Sequence, residues 1–177
     1  MMNASTNIDS ITQIEELLAQ GLPPDYRDWL LDPESRNPVP ARTMVQAETP
    51  CVESVSELYP AHEVLRYVDM EKDMIAVDSG DFPPGMIAIG ENGIGDYVLL
   101  SLSSSDYGSV HFLFHEESNP DDKLWGVYRL GNSFSEWLLS LTPDIDASPV
   151  NEPSVPIPEL RVAKIAAAPA TPWWRFW

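Results

Sequence analysis

The residues of this chain with chemistry to offer are a glycine cluster, three histidines, one cysteine and a large excess of carboxylates. Gly90-x-x-Gly93-x-Gly95 has the look of a phosphate-cradling loop, but such loops lead into a helix whose N–H groups face the anion. Here an apolar, strand-like run follows, and Glu91 and Asp96 would repel phosphate, so the glycines read as a hairpin turn. His111 and His115, four residues apart on a strand, point to one face beside Glu116 and Glu117. A metal needs three or four convergent ligands, and His62 lies elsewhere, so these histidines read as half-exposed sheet residues and no metal or cofactor is expected. Cys51 has no motif placing a histidine base and an orienting group beside it, as a nucleophile requires. Acid pairs such as Asp78 and Asp81 have the chemistry of general acid–base catalysis. A chain with 28 acids makes such pairs by chance, however, and no catalytic constellation stands out.

Charge is more informative than any of these. Ten basic residues against 28 acidic ones give −18, and residues 1–142 carry −17 of it. After Leu160 every charge is positive: Arg161, Lys164 and Arg175. An acidic body repels nucleic acid and anionic membranes and steers toward basic partners, besides keeping itself in solution. The single cysteine excludes an internal disulfide framework and fits a reducing compartment. The N-terminus MMNASTNIDS lacks the basic and apolar regions of a secretory signal, and no run is long enough to span a bilayer. The expected location is cytoplasmic, with no stable membrane insertion.

The elements that must position these residues centre on Phe82–Ser118. Three short apolar runs, Met86–Ile89, Tyr97–Leu102 and Val110–His115, are separated by the turn residues Glu91-Asn92-Gly93 and Asp106-Tyr107-Gly108, and predict an antiparallel meander. Ahead of it, Ile8–Gln20 predicts a helix with Gly21 as a left-handed cap. A second helix opens at Pro23-Pro24 and places Tyr26, Trp29 and Leu30 on a face directed at the sheet. Asp32–Arg42 reads as loop, Thr43–Ala47 and Cys51–Tyr59 as weak strands, and Pro60–Val77 as a helix with an acidic end. After the meander, Trp125–Tyr128 predicts a short strand, and Ser133 with Glu136 a capping box that starts a helix ended by Pro143. The fold class expected is α+β, a central, mainly antiparallel sheet flanked by N-terminal helices and a C-terminal helix, followed by a Pro-rich tail. Residues 1–142 form the α+β domain in this reading; residues 143–177 are a Pro-rich linker with an aromatic end.

The segments LPPDYRDWLL, FPPGMIAIG with ENGIGDYVLLSL, SVHFLFHEES and LGNSFSEWLLSL resemble, in order, the signature blocks of the SUKH superfamily, the Smi/Knr-type domain. They run across roughly residues 8 to 142. One departure is the stretch Asp32–Pro38, which stands where such domains usually carry an Asn-Gly-Gly type turn. The resemblance implies an α+β fold with a central antiparallel sheet. It further implies a non-enzymatic immunity protein, which binds and neutralises a cognate toxin used in competition between bacteria; fungal relatives are regulators of cell-wall signalling.

Many such toxins act on nucleic acid through basic grooves, which an acidic inhibitor fits and blocks. The acids expected to face the partner are Asp69, Glu71, Asp73, Asp78, Asp81, Glu91, Asp96, Glu116 and Glu117. The tail adds Trp173, Trp174, Arg175, Phe176 and Trp177, aromatic beyond what a disordered tail carries. Docking into a groove on a partner or on the chain's own body is one use for it, since Trp and Arg are the usual anchors of interfaces. A membrane interface is a second, weakened by the lack of a long amphipathic helix, and functional idleness is the third. An adaptor module that recruits its partner through this tail is the rival to the immunity reading. The oligomeric state is left open by the sequence.

Overall fold

The computed structural model describes residues 4–32, 39–47, 50–75, 82–119 and 124–144. Helix α1 (Ala4–Leu18) and helix α2 (Pro24–Leu31) come first, then strands β1 (Ala41–Val45), β2 (Cys51–Val55) and β3 (Glu57–Leu58). Helix α3 (Ala61–Ile75) leads into β4 (Met86–Glu91), β5 (Tyr97–Ser101), β6 (Val110–Asn119) and β7 (Leu124–Gly131). Helix α4 (Phe134–Ser140) and β8 (Thr142–Pro143) complete the described body. This is an α+β fold.

The meander is present as β4-β5-β6-β7, extended by β3 at one edge into a five-stranded antiparallel sheet. Chain order equals spatial order in it, and the turns after β4 and β5 carry the left-handed glycines, Gly93, Gly95 and Gly108, that their reversals use. Gly90 is required for a different reason. A side chain there would meet the Glu57 carbonyl at 2.5 Å, so only glycine lets β3 approach β4. One face of this sheet looks toward α3, where Tyr97 meets the rings of Tyr67 and Phe82 edge-on.

A second sheet, in the order β2-β1-β8, is antiparallel throughout. It resolves the irregular spacing of Val52, Val55 and Leu58. Val55 turns into the core and Val52 outward, while Leu58 belongs to β3 and therefore to the other sheet. The chain changes sheets at Ser56, whose amide donates to the Glu91 carbonyl at 2.9 Å.

One local expectation needs correction. The left-handed residue after α1 is Ala19 (φ 50°), not Gly21, because the helix ends two residues earlier than the sequence indicated. The aromatic face of α2 shares one buried core with the sheet residues and adds a contact with α4: Tyr26 and Trp29 meet Phe134 at 4.8 and 5.4 Å. Trp137, next in that cluster, is fully buried and donates from Nε1 to Thr43 Oγ1 of β1 at 3.1 Å. The α4 cap also differs slightly from a standard box. Ser133 Oγ accepts from the Glu136 amide, but the Glu136 carboxylate reaches back to the amide of Asn132 rather than of Ser133.

Candidate partner-binding surface

Of the glycine cluster, Gly90 lies in β4, while Gly93 and Gly95 lie in the turn between β4 and β5, residues 92–96, which Asn92 holds in shape. Its Oδ1 accepts from the amides of Ile94 (3.0 Å) and Asp96 (3.1 Å), and its Nδ2 donates to Asp96 Oδ2 at 2.8 Å. The Asn92 amide closes the loop onto the Asp96 carbonyl, and Ser56 Oγ donates to the Asn92 carbonyl at 2.8 Å. Gly93 (φ 81°) and Gly95 (φ 103°) supply the left-handed backbone that this path requires. Because β5 follows, and because the amides of Ile94 and Asp96 are already bound to Asn92, the turn offers no phosphate cradle.

Asp96 corrects the expectation of an exposed acid. It is only 6% exposed, and besides Asn92 it accepts from the His115 amide (3.0 Å) and pairs with His115 Nδ1 (2.8 Å). A buried carboxylate needs such donors, since an uncompensated charge in the interior is costly. Glu91 is half-buried and accepts from the Tyr59 hydroxyl at 2.9 Å, directly opposite Glu57 of β3. Burial first, then the bonds with Tyr67 and Glu91, push the Tyr59 phenol well above its ordinary range, so it stays a donor. Glu116 and Glu117 are exposed at the far part of β6, with Tyr128 donating to Glu117 at 2.7 Å. The β4–β5 turn thus brings Glu57, Glu91 and Asp96 together with His115 and its neighbour Glu116. The sequence reading had not singled out Glu57; the β3–β4 register does.

Asp69 stands apart, on an open groove of about 490 Å³ between α1 and α3 that Glu16, His62 and Arg66 also line. Arg66 is paired there with Glu63. Glu71 and Asp73 fall in the last turns of α3, where the backbone alone is described. Asp78, Asp81 and the five tail residues Trp173, Trp174, Arg175, Phe176 and Trp177 lie outside the described residues.

A second polar network, unforeseen from the sequence, sits at the turn between β5 and β6. Asp106 accepts from Ser101 Oγ (2.7 Å) and Ser109 Oγ (3.1 Å), with Arg129 at 3.5 Å. His111, buried rather than half-exposed, places Nε2 at 2.8 Å from Ser109 Oγ and 3.3 Å from Asp106. Serine, histidine and aspartate are therefore in contact, yet not as a catalytic triad. A triad sets serine and carboxylate on opposite ring nitrogens, whereas here both face Nε2. The single Ser109 proton goes to Asp106, so Nε2 must donate to Ser109 and cannot act as its base.

This network makes the fold acid-sensitive. Burial holds His111 below its ordinary 6.5, and the attraction of Asp106, the next largest effect, does not cancel it. For Asp106, burial alone would raise the pKa, but the two serine hydroxyls and the charges of His111 and Arg129 together hold it below 3.8. The unfolded chain therefore takes up the His111 proton before the folded one does. The contribution from neutral His111 is complete above 6.5 and is lost as pH falls from there through the folded value, with that of Asp106 following below 3.8. Urea midpoints measured from about pH 8 down to about pH 5 should fall in the wild type and fall less in His111→Gln. Parallel profiles would remove His111 as the cause.

Cys51 is half-buried, and burial together with Glu53 pushes its thiol up, away from the thiolate that a nucleophile needs. Among the described residues no three His, Cys, Asp or Glu side chains converge as a metal ion requires, and no helix is long and apolar enough to cross a membrane.

Comparison with known proteins gives one match, to the family model described as SMI1 / KNR4 family (SUKH-1), over residues 6–140. No curated protein and no solved structure matches the chain.

Proposed function

The chain belongs to the SMI1 / KNR4 family (SUKH-1), and from that premise we propose that it is an immunity protein: it binds a cognate bacterial toxin domain in the cytoplasm and neutralises it by occupying its working surface. No bond in the toxin is made or broken. The observation that carries this reading is the net charge of −18, of which the turn region holds Glu57, Glu91 and Glu116. Carboxylates so placed match a toxin with a basic groove, and long-range attraction raises the rate of encounter. In this proposal residues 1–142 are the binding body, and residues 143–177 are a tether that carries the aromatic end.

The test is direct. The polypeptide encoded immediately upstream should bind the purified chain stoichiometrically, and co-expression should relieve its toxicity. Between about 50 and 500 mM salt the association rate should drop roughly tenfold or more, because added ions screen charges beyond a Debye length. Binding indifferent to salt would count against electrostatic steering, and absence of binding against the immunity reading itself. The adaptor reading draws on four aromatics in the last five residues. Deleting 169–177 separates the two: neutralisation that survives supports the body as the inhibitor, and loss of every partner supports the tail.

A further inference from the structure

Seven large apolar side chains are exposed among the described residues, and Ile94, at 74%, differs from the others in how it is held. It sits at the tip of the β4–β5 turn, between the β2–β3 junction and the end of β6. Positions Gly93 and Gly95 on either side lie against Ser56 and the His115 ring. The turn is braced from both flanks. Asn92, 7% exposed, binds the Ile94 amide itself, Asp96 ties Asn92 to His115, and Ser56 holds the Asn92 carbonyl. A two-residue turn would suffice to reverse the chain. The longer one commits two buried polar side chains to a path whose outermost residue points away from the core.

The surroundings carry one sign of charge. In the three segments that meet here, 56–58, 91–96 and 115–117, five residues are acidic: Glu57, Glu91, Asp96, Glu116 and Glu117. No lysine or arginine occurs in them. Leu139 is more exposed, at 87%, but it projects from the seven-residue α4 among Ser135, Glu136 and Ser140, without such a surround. Met44 and Val52 pair across β1 and β2 on the outer face of the small sheet, beside Arg42.

We propose that Ile94 is the apolar anchor of the toxin interface, entering a pocket on the partner that lysine and arginine side chains rim. The proposal rests on the immunity reading above and assigns it a contact point. An anchor on a pre-ordered loop loses little conformational freedom when it docks, so its burial is retained as affinity. Central apolar anchors surrounded by complementary charge are where interface energy concentrates.

The experiment measures the affinity of the upstream-encoded polypeptide for wild type, Ile94→Asp, Ile94→Ala, Ile94→Val and Leu139→Asp. Ile94→Asp should weaken binding about 30-fold or more and Ile94→Ala about tenfold, while Ile94→Val and Leu139→Asp stay within about threefold. All four substitutions are at exposed positions, and equal melting temperatures would confirm that the fold is intact. Wild-type binding that Ile94→Asp leaves unchanged overturns the anchor and leaves the immunity reading standing. No wild-type binding overturns both. A wild-type chain that sediments as a dimer, and as a monomer after Ile94→Asp, overturns the anchor too, because the tip would then face a second copy.

Discussion

Alanine at Trp137 is expected to cost about 3–5 kcal/mol, the range for deleting a fully buried tryptophan. Trp137 has no exposed surface and lies in the ring cluster with Phe134, Tyr26 and Trp29, at the point where α4, α2 and the small sheet meet. Its Nε1–H bond to Thr43, 94 residues away in sequence, is the polar part of that junction. Two losses are therefore combined, a cavity among aromatic rings and a buried Thr43 hydroxyl without its donor. Against a total stability of roughly 5–15 kcal/mol, the variant would lose about a fifth of it or more. The melting temperature should fall on the order of 10 °C. Trp137→Phe separates the contributions, since it keeps most of the ring volume and removes the donor, and it should cost about 1–2 kcal/mol. Urea titration reads both values as midpoint shifts at constant slope. If Trp137→Ala shifts the equilibrium by less than about 1 kcal/mol, the junction of α4, α2 and the small sheet is not a main support of the fold.

Asn92→Ala is expected to cost about 2–4 kcal/mol, large for a single polar side chain. The residue is buried and its amide makes three bonds within the turn, to Ile94, to the Asp96 amide and to the Asp96 carboxylate. Alanine would orphan two backbone donors and take a partner from a buried carboxylate. Asn92→Asp gives a sharper test. It keeps acceptors for the two amides but sets a second carboxylate against Asp96, in place of a donor at 2.8 Å. Two like charges in one site raise the pKa of the pair, so the cost of Asn92→Asp should be largest near neutral pH and shrink on acidification. Alanine should show no such recovery relative to wild type. An aspartate variant whose deficit is flat with pH would mean that residue 92 is not facing the Asp96 carboxylate.

The central sheet was legible because its information is local. Asn92-Gly93 and Asp106-Tyr107-Gly108 announce reversals, and the runs between them are too short for helices. The small sheet is local only in its β1–β2 hairpin, whose two strands read weakly in the sequence. Strand β1 pairs with β2 and with Thr142, 100 residues later, and its sequence ARTMV alternates too weakly between apolar and polar to be read as half-buried. The helix faces were visible from their spacing, but not every element each one meets: the contact of Tyr26 and Trp29 with Phe134 had no signal in the sequence.

At the candidate surface, sequence exposes charge but not hydrogen-bond partners. Asp96 reads as one acid among 28 until His115, 19 residues on, proves to be its hydrogen-bond partner. The serine and histidine of the other network carried a readable signal. Ser101 closes the apolar run of β5 and His111 interrupts that of β6, a sign of buried polar groups that must find partners. Ile94 offered no such sign, since an isoleucine between two glycines has the pattern of any loop.

The pairing of β8 with β1 affects how the chain is made. Arg42 bridges to Asp144 at 2.8 Å, and among the described residues the edge of β1 at Ala41 and Arg42 pairs with Thr142 and Pro143. During synthesis that edge stays uncovered until almost the whole body has left the ribosome. A nascent or truncated product ending before residue 142 presents an open strand to its neighbours, which is a template for aggregation. Thr142 and Pro143 therefore act as a seal on the edge of β1.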